Sequence, residues 1–342
     1  MIKKLGLARF SALYLWALFM IWFGITKHQT FLTQATLKLV LQQNVITGVL
    51  ALAFLIPLIT GTFDLSIGTQ MTLSLAITAK LAQHGTMSPY ASMWLAMACC
   101  GFAGFVSGFF VVKLRVNSFI ATLGMSQVLT AICLKISTQQ ISNIYDKGFQ
   151  NVGKKLLFGE PMYVWYLLLL AVVLWYVFEH TPVGRYMFAT GGNPEAARLA
   201  GVRTDRYIWT SLVLSGVLAG FAGVVQSWKV GIYSTDTGPG YLFPAVAAVF
   251  FGASQLKGRA NVWGTMIALY SLAWGIKGLQ LTFATNTVWI EPLFQGTALL
   301  AAVALASYQG VIRVRRKKAV DDPVPPAAET GPPAAVAAPL TS

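Results

Sequence analysis

Asp64 is the only carboxylate in the chain before Asp146, and it sits between two apolar stretches in the segment GTFDLSIGTQ, residues 61–70. An ionised carboxylate at the centre of an apolar span costs about 2.5–3.5 kcal/mol even on lenient insertion scales. Asp64 therefore needs a partner, water or a break in the helix. Gly61 and Gly68 bracket it with permissive backbone. The carboxylate can then cap a helix that starts near Leu65, accepting the free N–H groups around Ser66 and Ile67. A helix start capped in this way can also gate a pathway, and the residue types leave both roles open. A second isolated ion, Lys277, lies within another apolar stretch. Its ammonium either faces a polar pathway or helix interface, or snorkels to a membrane surface.

Other chemistry finds little support. GFQNVGKK (148–155) mimics a phosphate-binding GxxxxGK loop, but Lys155 stands where Ser or Thr should hold magnesium and no strand precedes it. His28, His84 and His180 are far apart and lie near no nucleophile or metal-ligand pattern. Cys99, Cys100 and Cys133 sit in apolar runs without a metal-binding spacing and read as packing residues. Neither GxSxG nor HExxH occurs.

The elements that must position Asp64 and Lys277 follow from composition. Of 342 residues, 56% are hydrophobic and only 11% are charged, about half the charged share of an ordinary soluble domain. Apolar windows of the ~17–25 residues needed to cross a bilayer recur along the chain. The expected fold is an all-α polytopic membrane protein of about ten spans, near 10–26, 45–60, 69–83, 91–112, 118–138, 162–179, 208–228, 241–256, 262–283 and 292–309. The first has a basic start but no small-x-small cleavage site before Lys27, so it reads as a helix rather than a signal peptide. Spans 45–60, 69–83 and 241–256 are short, as in proteins whose broken helices line a water-filled cavity.

The net charge of +14 could suggest nucleic acid, but its placement argues for topology. With the N-terminus cytoplasmic, every arginine falls on the inside, as the positive-inside rule requires. Both termini are then cytoplasmic. Residues 1–312 form the membrane domain, and 313–342 form a tail, basic and then Pro/Ala-rich, that is expected to be disordered. Gly104 with Gly108, and Gly216 with Gly220, place small residues one turn apart for close helix packing. Trp228, Trp274 and Trp289 read as interfacial anchors.

The longest inside segment, 181–207, carries one more designed feature. Asn193 and Pro194 suit the cap and first position of a short helix, Glu195 suits its positive end, and Gly201 stops it. A short rigid helix projecting from a membrane domain is suited to transmitting force.

At this point the chain resembles a known family. GGNPEAARLAGV (191–202) resembles the cytoplasmic loop of ABC importer permeases, specifically those for ribose, galactose, xylose and related small molecules. GTFDLSIGT, NSFIATLGM (117–125) and AAVFFGASQLKGRANVWGTMIA (247–268) resemble further segments of that family in the same order. Thr62, Ser118, Ala253 and Arg259 depart from it: glycine is usual at 62, 253 and 259, and proline at 118.

The resemblance implies a permease working as a homo- or heterodimer in the bacterial inner membrane, with two ATPase subunits and a periplasmic solute-binding protein. It implies no nucleic-acid partner and no cofactor in this chain, since ATP would be held by the partner ATPase. Pro194 to Gly201 would form the coupling helix, with Ala196 and Ala197 packing closely on the ATPase and Arg198 making a polar contact. A branched-chain amino-acid permease shares this architecture. An ion-coupled secondary transporter would require carboxylates within its spans, and Asp64 alone qualifies.

Overall fold

A lipid interior offers the backbone no hydrogen-bond partners, so apolar segments of this length must satisfy themselves as helices. The computed structural model describes residues 11–83, 87–142, 147–253, 259–283 and 287–308. The N-terminal ten residues, His84, Asp146, Lys257 and the tail expected over 313–342 lie outside them.

The helices in chain order are α1 (Ser11–Thr26), α2 (Gln34–Gln43), α3 (Val45–Ile59), α4 (Ile67–Gln83), α5 (Pro89–Val112), α6 (Ser118–Ile136) and α7 (Lys147–Lys154). After them come α8 (Met162–His180), α9 (Pro182–Gly192), α10 (Pro194–Leu199), α11 (Thr204–Lys229), α12 (Pro239–Ala253), α13 (Val262–Phe283) and α14 (Ile290–Tyr308). Four two-residue strands, β1 (Ile141–Ser142), β2 (Leu156–Leu157), β3 (Glu160–Pro161) and β4 (Ile232–Tyr233), form two antiparallel ribbons, β1 with β4 and β2 with β3.

Each of the ten expected spans coincides with a helix: α1, α3, α4, α5, α6, α8, α11, α12, α13 and α14. Among the described residues α5, α6, α8 and α11 are individually long and apolar enough to cross a membrane, and α2 with α3, bent by 41°, makes a fifth candidate. The protein is therefore an all-α polytopic membrane protein. α3, α4 and α12 have only 15, 17 and 15 residues, matching the expected short spans. The stretch 181–207 is not one loop around a short helix: Thr181 caps α9, with Pro182 in the first turn. Proline is compatible with a first turn, whose N–H would be unpaired anyway. GFQNVGKK is helical too, since α7 covers most of it.

Burial sorts the spans. In α6 and α8 only 17% and 22% of the most apolar window is buried, against 56% in α11, so α6 and α8 are peripheral and α11 is central. α3 is apolar and buried nearly all round, as a core helix should be. The four glycines Gly104, Gly108, Gly216 and Gly220 meet across one interface. A side chain on Gly104 would strike the Leu212 carbonyl, one on Gly216 the Cys100 carbonyl, and one on Gly220 would come within 3.1 Å of the Cys100 Cβ. Close backbone approach of this kind supplies van der Waals contact where lipid supplies no hydrophobic drive. Trp228 and Trp274 are buried, contrary to the interfacial expectation, while Trp289 is exposed. Trp228 is enclosed by Phe149, Tyr166 and Phe221, and Trp274 meets the edge of Phe31.

Candidate functional site

α3 stops at Ile59 because the chain turns back on Pro57: the Thr60 and Thr62 amides both donate to the Pro57 carbonyl. Gly61 takes a φ of +80°, a left-handed conformation that glycine adopts at little cost. The chain then runs without helix to Ile67. Its free amides are met by hydroxyls on α6: Phe63 N–H donates to Ser118 Oγ and Leu65 N–H to Thr122 Oγ1, each at 3.1 Å, while Thr69 Oγ1 donates to Ser126 Oγ at 3.3 Å. Ser118, Thr122 and Ser126 lie four residues apart, on one face of a helix. Two of the departures from the family pattern make bonds here. Ser118 accepts the Phe63 amide, which proline could not do. Thr62 Oγ1 donates to the Pro57 carbonyl at 3.2 Å.

Asp64 is fully buried within this break. Its Oδ1 accepts the Ser66 amide at 3.0 Å and the Ser66 hydroxyl at 2.6 Å, and Gln70 Nε2 donates to the same hydroxyl at 2.7 Å. Asp64 Oδ2, Gln70 Oε1 and Ser215 Oγ are buried without hydrogen-bond partners. Gly68, in the first turn of α4, lies against the residue preceding α12: a side chain there would come within 2.8 Å of the Gly238 carbonyl, and Gly238 N–H donates to Thr72 Oγ1 at 3.0 Å. Two short helices thus begin side by side.

The other candidate cluster is α10. Asn193 Oδ1 accepts the Ala196 amide at 3.1 Å, and Pro194 sits in the first turn. Gly201, at φ +82°, ends the helix; Gly201 N–H bonds Arg198 O, and Val202 N–H bonds Ala197 O, both at 2.9 Å. This is the glycine-terminated C-cap in which orphan carbonyls are satisfied by the amides beyond the helix. Ala197 is buried, while Pro194, Glu195 and Ala196 are exposed. Arg198 turns toward its own chain, with Nε donating to Thr204 Oγ1 at 2.8 Å and Nη2 pairing with Asp205. Asp205 also pairs with Arg115 at 3.3 Å.

α9 joins the two clusters. Gly191 lies directly against the break, since a side chain there would run into the Ile59 carbonyl, and one on Gly61 would come within 3.2 Å of Gly191 Cα. Arg259 reaches α9 from the other direction: it pairs with Glu179 at 3.0 Å and lies over the Phe188 ring, 3.9 Å from its centre. This departure from glycine therefore ties the start of the α13 connection to α8 and α9.

Lys277 lies far from both clusters. It lines a cavity of about 370 Å³ with Lys229, Glu291, Gln43, Gln280 and Gln295. This cavity opens at the Asn44 end of α3 and the Lys229 end of α11, opposite the Thr204 end where Asp205 meets α10. With 26 residues, α11 separates its two ends by about 39 Å.

Local patterns revealed the α10 cap, its stop and the Asp64–Ser66 turn. They did not reveal the hydroxyl stripe of α6, Gly191, Asp205, the Arg259–Glu179 pair, or Leu199, which is 92% exposed at the end of α10. Leu199 had one usable signal, the one large apolar residue in a short capped helix.

Broken short helices, a buried polar break and a projecting capped helix define a membrane transport subunit. A family model described as the branched-chain amino acid transport system permease component matches residues 36–304, and the chain belongs to that family. It is 29% identical over 285 residues to the ribose import permease protein RbsC of Escherichia coli K12, covering 81% of this chain and 87% of the relative. It is 29% identical over 292 residues to the fructose import permease protein FrcC of Rhizobium meliloti (83% and 81%). Against the D-allose transport system permease protein AlsC of E. coli K12 it is 27% identical over 298 residues (87% and 91%). No solved structure matches.

Proposed function

We propose that this chain is the membrane-spanning subunit of an ABC importer for a monosaccharide or a related small polar solute. The relatives named for ribose, fructose and D-allose support sugars over branched-chain amino acids. In this reading the chain crosses a bacterial inner membrane ten times with both termini cytoplasmic, and pairs with a second permease copy or paralogue. It is served by ATPase subunits that bind ATP and by a periplasmic solute-binding protein.

The contact of Gly191 with the Thr60–Ser66 break carries the mechanism. α10 presents Pro194, Glu195, Ala196 and the bare Leu199 side chain to the ATPase. Arg198, already engaged by Asp205 and Thr204, stiffens the helix base. Closure of the ATPase pushes α10, and α9 passes the displacement through Gly191 to Gly61. The break is a non-helical joint between two rigid helices, so displacement there reorients α3 against α4. Asp64 caps the joint through Ser66 and acts at the inner end of the pathway, while Lys277 lies at its outer end. Within the chain, the tight contact of Gly191 with Ile59 and Gly61 supports this relay.

Co-purification from native membranes tests this reading, with ATPase stimulation by sugar-loaded binding protein as the readout. Glu195→Arg or Gly201→Trp should abolish transport and weaken ATPase association while the chain still inserts. Unchanged association in both variants would overturn the assignment of α10.

A further inference from the structure

The outer cavity holds three ionic groups, and two of them are matched by their own helices. Lys229 is the last residue of α11, where the negative end of the helix dipole favours a cation, and its ammonium donates to the Gln43 carbonyl at 3.3 Å. Glu291 lies in the first turn of α14, where the positive end favours an anion. Its Oε1 accepts the Gln295 amide at 2.9 Å. Lys277 is six residues short of the end of α13 at Phe283, beyond the last turn over which the dipole acts. Among the described residues it makes no hydrogen bond or ion pair. It is half-buried, so water only partly compensates its charge.

We propose that this cavity receives a small polyhydroxylated anion, a monosaccharide bearing a carboxylate or a phosphate, with the Lys277 ammonium as its counter-charge. The volume of about 370 Å³ falls within the range of small-molecule sites, roughly 300–1,000 Å³. Gln43, Asn44, Gln280 and Gln295 supply amides of both polarities, suited to hydroxyl groups that both donate and accept. A neutral sugar would engage those amides but leave the ammonium uncompensated. A sugar hydroxyl can accept from the ammonium, but only an anionic oxygen also cancels its charge. That the ligand is also the cargo rests on the importer reading, whereas the charge of the cavity does not.

The test uses the full chain in nanodiscs, with Cys99, Cys100 and Cys133 replaced by alanine and Gln280→Cys as reporter. The thiol is labelled with an anionic reagent, sulfonatoethyl methanethiosulfonate, and with its cationic trimethylammonioethyl counterpart. The anionic-to-cationic rate ratio should exceed that of a free thiol by at least about fivefold, from one nearby uncompensated charge in a partly dry site. Lys277→Gln should remove the excess and Lys277→Arg should keep it. Millimolar D-gluconate or D-ribose 5-phosphate should slow labelling, the more effective of the two identifying the charged group, and D-ribose should not. Gln43→Cys serves as a second reporter in the same cavity should Gln280→Cys disturb α13. A free-thiol ratio at both reporters overturns the proposal, as does absence of labelling at both, equal protection by D-ribose, or an excess ratio with no protection by either anion. None of these readouts involves the ATPase, so failure here is separable from failure of the importer assignment.

Discussion

At one end of α3, the seven residues from Thr60 to Ser66 are bonded to α6 at Ser118 and Thr122, Thr69 just beyond them adds a third rung to Ser126, and Gly61 is pressed against Gly191. At the other end, Asn44 and Thr47 face a hollow lined with charges and amides. The first region has lost its helical hydrogen bonds and finds others, the Thr60, Gly61 and Thr62 amides on the Pro57 and Leu58 carbonyls and the Phe63, Leu65 and Ser66 amides on side chains. The second bends only once, by 41° between α2 and α3, and leaves the Lys277 ammonium without an internal partner among the described residues. A joint that must transmit force has to be over-determined, because slack in any contact absorbs the displacement. A chamber that must admit and release a solute has to be under-paired, because every internal bond competes with the solute. Under the proposed function, the difference between the two ends separates coupling from cargo.

The largest effect should come from filling the joint. Gly191→Val places a side chain against the Ile59 carbonyl, where backbone on both sides prevents relaxation. Overpacking of this kind costs about 1–3 kcal/mol or more, and the contact that passes motion to Gly61 would be wedged open. Transport should vanish, and the thermal midpoint in detergent should fall by several degrees. A variant that transports normally would break the comparison, since the joint would then tolerate slack.

How much of this was legible depends on sequence distance. Asn193, Pro194 and Gly201 were readable because a cap and a stop are made within a few residues of one another. So was the Asp64–Ser66 turn. A helix at each of the ten expected positions followed from composition because lipid leaves few alternatives. The residues of α9 look like loop because they fall in the long inside segment between two apolar spans. Yet Gly184 is glycine because the Phe178 carbonyl leaves no room for a side chain, and Gly191 because Ile59 does. The α6 hydroxyl stripe meets residues 55 to 57 positions away, and on an apolar helix such serines look like filler. Trp228 and Trp274 depart from expectation for a related reason: position near a span end suggests an anchor, but α7 and the α1–α2 turn cover them with Phe149 and Phe31.

The next effect sharpens the role of Asp64. Asp64→Leu removes the acceptor for both the Ser66 amide and hydroxyl, leaving buried donors unpaired at about 1–3 kcal/mol. Asp64→Asn keeps an oxygen at the Oδ1 position. Uptake should therefore survive far better in the amide variant. Equal loss in both would assign the carboxylate a charge role in the pathway. Smaller again is Ser118→Ala, which removes one acceptor for the Phe63 amide while Thr122 still holds Leu65. A loss of about 1–2 kcal/mol in unfolding free energy is expected, with transport reduced and not abolished.

The smallest expected effect concerns Arg198 and Asp205, and it decides how α10 is used. Both side chains are nearly half exposed, at 46% and 42%, and exposed ion pairs are worth about 0–1 kcal/mol. A double-mutant cycle of Arg198→Ala with Asp205→Ala should give a stability coupling below about 1 kcal/mol. Arg198→Ala leaves Asp205 paired with Arg115, and Asp205→Ala leaves Arg198 bonded to Thr204 while releasing Arg115, whose side chain is 62% exposed. ATPase association should then fall equally in both single variants and no further in the double, because Arg198 acts by bracing the base of α10. If Arg198→Ala weakens association while Asp205→Ala leaves it intact, the guanidinium contacts the ATPase directly. The exposed face of α10 would then include its one arginine as well as Glu195, Ala196 and Leu199.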